Sequence, residues 1–155
     1  MKGALTYAMT SEGIPIMYYG TEQLFNGGQD PYDREALWPT DLKKTDTYYW
    51  IARLNEVRTK KKWWNYAQIE RWCDDSFYAY TRGSTLFVMS NDDHSDQSRT
   101  ITYTDYKAGQ VLVNIWDSND KVTVGQNGYK VTLNKGEPKI YVLEGAADQE
   151  PEGFI

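Results

Sequence analysis

The sequence predicts a mainly β chain: an antiparallel Greek-key β-sandwich preceded by an incomplete (β/α)8-barrel segment that runs helix, strand, loop, helix. Three observations carry this. After Trp63 apolar residues recur with period two in short runs separated by glycine turns. Before it, a helical pattern, a continuous apolar run and a second helical pattern follow one another. Aromatics are also abundant, with 13 Tyr and 6 Trp, many in alternating stretches that suit sheet faces or carbohydrate platforms.

From Lys2 to Thr10, Ala4, Leu5, Ala8 and Met9 fall at helical spacing, and Gly13 is the stop signal. Ile14 to Tyr19 is an unbroken apolar and aromatic run between Gly13 and Gly20. It reads as a strand buried on both faces, as strands of parallel sheets are. The loop from Gly20 to about Thr45 is long, and its charged and aromatic content favours function. A second amphipathic helix is expected from Asp46 to about Lys61, with Thr45 and Asp46 as cap candidates. Helix, buried strand and polar loop in that order match a βα barrel near its end.

Strands are expected over 68–73, 77–82, 85–90, 99–104, 111–115, 121–124, 129–133 and 139–143. Glycines at Arg82-Gly83-Ser84, Ala108-Gly109, Asn127-Gly128 and Lys135-Gly136 supply the turns. The expected division is therefore 1–62, a barrel segment, and 63–155, a terminal β-sandwich ending in a loose acidic tail from Gly145. The chain opens abruptly in a helical pattern, which reads as an internal start.

Charge and composition exclude several functions. A net charge of −5 offers no basic face for nucleic acid, and the run Lys60, Lys61, Lys62 reads as a solvated helix end. No apolar run approaches the ~20 residues that span a bilayer, so no membrane partner is expected. The single Cys73 cannot form an internal disulfide and is expected as a small buried hydrophobe. One histidine, His94, supplies no metal cluster and no Ser/His/Asp or Cys/His set. The acidic turn Asp92, Asp93, Asp96 lacks EF-hand spacing and reads as a solvated loop.

The stretch Gly13-Ile14-Pro15-Ile16-Met17-Tyr18-Tyr19-Gly20-Thr21-Glu22-Gln23, then Gly27-Gly28-Gln29-Asp30-Pro31-Tyr32-Asp33-Arg34-Glu35 and Trp38, resembles the eighth barrel strand and following loop of α-amylases. The similarity continues through Lys107-Ala108-Gly109-Gln110, 122–128 and Gly136-Glu137-Pro138-Lys139, like the terminal β-domain of fungal-type members. The resemblance implies that 1–62 is the end of a catalytic barrel in an enzyme that hydrolyses α-1,4-glucan in starch or glycogen with retention. It implies an α-glucan partner (starch, glycogen or maltooligosaccharide) and a missing N-terminal barrel as the other partner.

The same resemblance puts the three catalytic carboxylates on barrel strands upstream of Met1, so no catalytic residue is assigned here and no activity is expected from the chain alone. Asp30 and Arg34 match family positions that contact substrate sugar. A carboxylate accepts from two neighbouring hydroxyls and a guanidinium offers a rigid fork of donors. The bland alternative is that the two simply pair with each other. Glu22, just past the strand end, could project as an acid, but bracing the loop backbone is the favoured reading. No cofactor is expected in this chain; calcium belongs to the full-length family members, held mainly upstream. Family members are usually secreted. A competing reading is a non-catalytic carbohydrate-binding or structural β-domain, with exposed members of Tyr78, Tyr80, Tyr103, Trp116 and Tyr129 stacking on glucose rings.

Overall fold

The computed structural model describes residues 1–145; the expected loose tail lies almost wholly outside them. The chain divides into two compact units, Met1–Lys60 and a second that begins at Lys61.

In the first unit, α1 (Lys2–Thr10) and α2 (Asp46–Lys61) form where the periodicity predicts them. Leu5 and Met9 of α1 and Trp50, Leu54 and Val57 of α2 are buried. Two polar links join the helices: the Trp50 indole donates to Thr6 Oγ1 at 3.1 Å and Arg58 Nη1 to the Met9 carbonyl at 3.0 Å. Thr45 caps α2, accepting from the Tyr48 amide at 3.0 Å, while Asp46 adds negative charge to the first turn.

The strand expected over Ile14–Tyr19 does not form. No ladder includes that run, and Ile14 and Ile16 are 88% and 84% exposed. The physical reason is pairing: a strand exists through hydrogen bonds to neighbours, and no described segment pairs with this one.

The second unit is all antiparallel. Its strands are β1 (Gln68–Cys73), β2 (Phe77–Arg82), β3 (Thr85–Ser90), β4 (Gln97–Ile101), β5 (Val111–Asn114), β6 (Lys121–Thr123), β7 (Tyr129–Leu133) and β8 (Lys139–Leu143). One sheet runs β1-β2-β3-β8-β5-β6; the other is the pair β4-β7. The nested pairing of β3 with β8, β4 with β7 and β5 with β6 is a two-stranded ribbon folded across the sandwich, which is Greek-key winding. β4 begins and ends earlier than expected because its register runs from Gln97 opposite Leu133 to Ile101 opposite Tyr129, where the Gly128 turn ends the partner strand.

Period two decides what each face buries. Phe77 and Ala79 of β2, Leu86 and Val88 of β3, Leu112 of β5 and Tyr141 of β8 meet Ile101, Val131 and Leu133 of the small sheet in one core. The opposite face of the central strands is also covered. Tyr80 stacks on Phe87 at 4.9 Å, and Trp63 meets Phe87 edge-on at 4.8 Å while its indole donates to Thr85 Oγ1 at 3.1 Å. Cys73 is exposed, contrary to expectation, because β1 is an edge strand and this residue closes its outer end.

Asp74 ties the two sheets together. Its carboxylate accepts from Arg99 Nε on β4 at 2.6 Å, from the Trp72 indole at 2.7 Å and from the amides of Ser76 and Phe77. Those hydrogen bonds, Arg99 first, hold its carboxyl well below the usual carboxylate range.

Candidate functional site

The long loop of the first unit is built on a glycine turn. Gly20 has φ +83°, and a Cβ there would sit 2.0 Å from the Phe25 ring, so only glycine lets the chain fold back this tightly. The Gly20 carbonyl accepts from the Gln23 and Phe25 amides at 2.9 and 3.1 Å. Phe25 then meets Tyr19 edge-on, and Tyr18 lies 4.8 Å from Tyr19.

Tyr19 closes the base of the loop, its hydroxyl donating to the Glu35 carbonyl at 3.0 Å, while Glu35 Oε1 accepts from the Asn26 amide at 3.2 Å. Desolvation, followed by the negative charge of Tyr18, Asp33 and Glu35, raises the Tyr19 phenol above its ordinary value. Glu35 is therefore occupied in bracing backbone. Glu22 sits in a single 3-10 turn, Thr21–Gln23, whose backbone carbonyl at Glu22 accepts from the Thr45 hydroxyl. The turn after the Ile14–Tyr19 run and the start of α2 are joined there.

Between these anchors lie Asp30 and Arg34. The Asp30–Pro31 bond is cis, and the Tyr32 and Arg34 amides donate to the carbonyls of Gln29 at 2.7 Å and Pro31 at 3.0 Å. This compact turn brings Arg34 Nε to 3.0 Å from Asp30 Oδ1, with the side chains 69% and 71% exposed. The pairing is real, and an exposed ion pair of this kind contributes little, so the two groups exchange partners at small cost. Beside them Tyr32 and Trp38 are 75% and 81% exposed, and the half-buried Asp33 has one buried carboxylate oxygen without a hydrogen-bond partner. The loop thus offers an acceptor, a forked donor and exposed aromatic rings along one stretch of chain.

In the second unit the aromatic candidates separate. Tyr80 and Tyr129 are 0% and 2% exposed and belong to the core, so they carry no stacking surface. Tyr78 and Trp116 are partly buried, and Tyr103 alone of the five is exposed, at 63%. Tyr80 is covered by Phe87 on one face of the large sheet, and Tyr129 lies in the core between the sheets.

A cluster that sequence reading missed surrounds Tyr103. Arg71 on β1 has a side chain only 2% exposed. Its Nε donates to Thr81 Oγ1 at 2.9 Å, its Nη2 pairs with Asp105 Oδ2, and its Cζ lies 4.9 Å from the Tyr103 ring centre. Arg71 and Asp105 stand 34 positions apart, beyond any local motif.

No group of three or more His, Cys, Asp or Glu among the described residues could hold a metal ion. In the acidic turn, Asp92 accepts from the His94 amide at 2.9 Å, the Ser95 hydroxyl at 2.6 Å and Gln97 Nε2 at 2.7 Å, which holds its carboxyl down at about 2. Its oxygens are committed to the turn itself. With those oxygens already taken, the Asp92 turn does not fit a calcium site. No helix among the described residues is long and apolar enough to cross a membrane.

Comparison with known proteins bears on the family of the chain. Residues 71–150 match the family model "Alpha-amylase, domain C". A beta/alpha-amylase of Paenibacillus polymyxa is 38% identical over 145 residues, spanning 91% of this chain and 12% of that protein. An alpha-amylase of Saccharomycopsis fibuligera is 32% identical over 149 residues, spanning 92% of this chain and 30% of the relative. Among solved structures, an alpha-amylase from Malbranchea cinnamomea superposes with a TM-score of 0.84 at 27% identity, covering 92% of this chain and 32% of that one. The chain therefore spans no more than about a third of the length of these relatives.

Proposed function

The chain belongs to the alpha-amylase family, matched through its domain C, and from that premise we propose that it forms the C-terminal part of an α-amylase. The complete enzyme would hydrolyse α-1,4-glucan with retention. Such a mechanism needs a nucleophilic carboxylate and a protonated acid about 5 Å apart. Both would come from barrel strands whose motifs this sequence does not contain.

In this reading residues 1–62 are the end of the barrel and 63–155 its supporting β-domain. The exposed Ile14, Ile16 and Tyr18 support it, since a run this apolar belongs between neighbouring strands. The N-terminal barrel is then the partner that covers them. Calcium would belong to that missing part.

The observation that carries a sugar role for the loop is the exposed Asp30–Arg34 pair on a braced turn. Asp30 would accept from adjacent sugar hydroxyls while Arg34 both orients Asp30 and donates to ring substituents. Purified chain should release no reducing ends from starch. Titration of 15N-labelled chain with maltoheptaose should shift the 30–34 amides, and Asp30→Ala should abolish the shift. Sustained maltose release by contaminant-free chain, or unmoved 30–34 amides at high millimolar ligand, would refute the assignment.

A further inference from the structure

We propose that the second unit carries its own α-glucan contact, a surface site in which Tyr103 is the stacking platform and Asp105 the hydroxyl acceptor, both held in place by the buried Arg71. The location rests on the geometry of the β-domain alone; the ligand class rests on the reading given under Proposed function.

The arrangement is poorly explained as a stability device. A guanidinium with 2% exposure is costly to bury, yet its carboxylate partner Asp105 is 77% exposed, and Nη1 is buried with no hydrogen-bond partner. What the buried cation does accomplish is placement. It fixes Asp105 through Nη2 and lies within cation–π range of the Tyr103 ring, so one ring face is held from inside while the residue stays 63% exposed.

The loop bearing both residues is anchored immediately downstream. The Tyr106 hydroxyl donates to the Ser84 carbonyl at 3.1 Å, its ring meets Tyr129 edge-on at 5.8 Å, and its amide donates to Thr104 Oγ1 at 3.1 Å. A ligand meeting a ring and a carboxylate already immobilised loses little further conformational entropy.

The chemistry of the surface selects a sugar. An aromatic face takes the C–H side of a pyranose, and a carboxylate with its second oxygen uncommitted to Arg71 accepts from vicinal hydroxyls. Besides Tyr103, the exposed large apolar residues described in this unit are Trp64 and Ile69, so fully exposed ring surface is scarce. The α-linked class is the one that the proposed function supplies, and a β-linked sugar is the control.

The same 15N titration tests this independently of the loop. With maltotriose and maltoheptaose, the amides of 103–105 and Arg71 Nε should shift saturably. Tyr103→Ala should weaken that site by about tenfold, the scale of losing one well-packed contact residue. Tyr103→Trp should retain it, and Asp30→Ala should leave it unchanged. Cellotriose should produce no saturable shift. Amides at 103–105 that stay still in wild type, wild-type affinity in Tyr103→Ala with its spectrum otherwise preserved, or equal binding of cellotriose would overturn the proposal. Silence at 30–34 with a response at 103–105 would instead refute the loop assignment alone.

Discussion

Trp63 and Trp64 are adjacent in sequence and opposite in environment, which makes them a sharp test of what holds the β-domain. Trp63 is fully buried against Phe87, whereas Trp64 is 51% exposed. Burying a tryptophan removes roughly 200 Å² from water, worth about 5 kcal/mol at ~25 cal/mol per Å². Residual burial in the unfolded chain lowers that to about 4 kcal/mol. Trp63→Ala also strips the buried Thr85 hydroxyl of its indole partner, at about 1 kcal/mol. The expected loss is therefore about 4–5 kcal/mol, against less than about 1 kcal/mol for Trp64→Ala. Urea unfolding followed by near-ultraviolet circular dichroism reads the difference as a midpoint shift of about 1–4 M at ordinary slopes. Trp63→Phe should recover most of the loss. If the two alanine variants unfold within about 1 kcal/mol of each other, the second packed face of the large sheet is not a stabilising layer.

Three further substitutions probe the connections between strands. Asp74→Asn should destabilise by about 1–2 kcal/mol near neutral pH, discounted for the partial exposure of the Asp74–Arg99 pair. Because the folded carboxyl is depressed, its stabilisation is complete above the unfolded value near ~4 and is lost as pH falls through the folded one. The melting-temperature gap between wild type and variant should thus be flat above about pH 5 and narrow below about pH 4; a constant gap down to pH 3 would contradict it. Gly128→Ala should cost at least about 2 kcal/mol, since its Cβ would lie 2.1 Å from the Ile101 carbonyl oxygen at φ +99°. Gly109→Ala, at φ +89° in open space, should cost about 1 kcal/mol, and equal thermal shifts would refute the steric argument.

Much of the fold was readable because its signals are local. Both helices, and five strands from Gln68–Cys73 to Lys139–Leu143, stand at the residues where period and turn chemistry put them. What failed was anything set by a distant partner. Ile14–Tyr19 has the composition of a strand, but composition does not supply neighbours. Residue type alone puts Cys73 in the interior, whereas its position at the end of an edge strand puts it in water. Of the candidate rings, alternation could say that some face out but not that Tyr103 does, because that residue follows β4 in an irregular loop. Asp30 and Arg34 were legible both as a loop motif and as an i,i+4 pair, and the structure joins them. Arg71–Asp105 and Asp74–Arg99 span 34 and 25 positions, and nothing in either local stretch announces the match.

β8 occupies a singular place in the strand order. It alone joins β1-β2-β3 to β5-β6, so the wide sheet stays in two halves until Lys139–Leu143 is available. During synthesis β3 must wait, one edge bare, for a segment made some fifty residues later. A stop codon or protease cut ahead of Lys139 would add two open sheet margins, at β3 and β5, that could seed intermolecular pairing. Lys139–Leu143 is thus the segment that joins the two halves into one sheet.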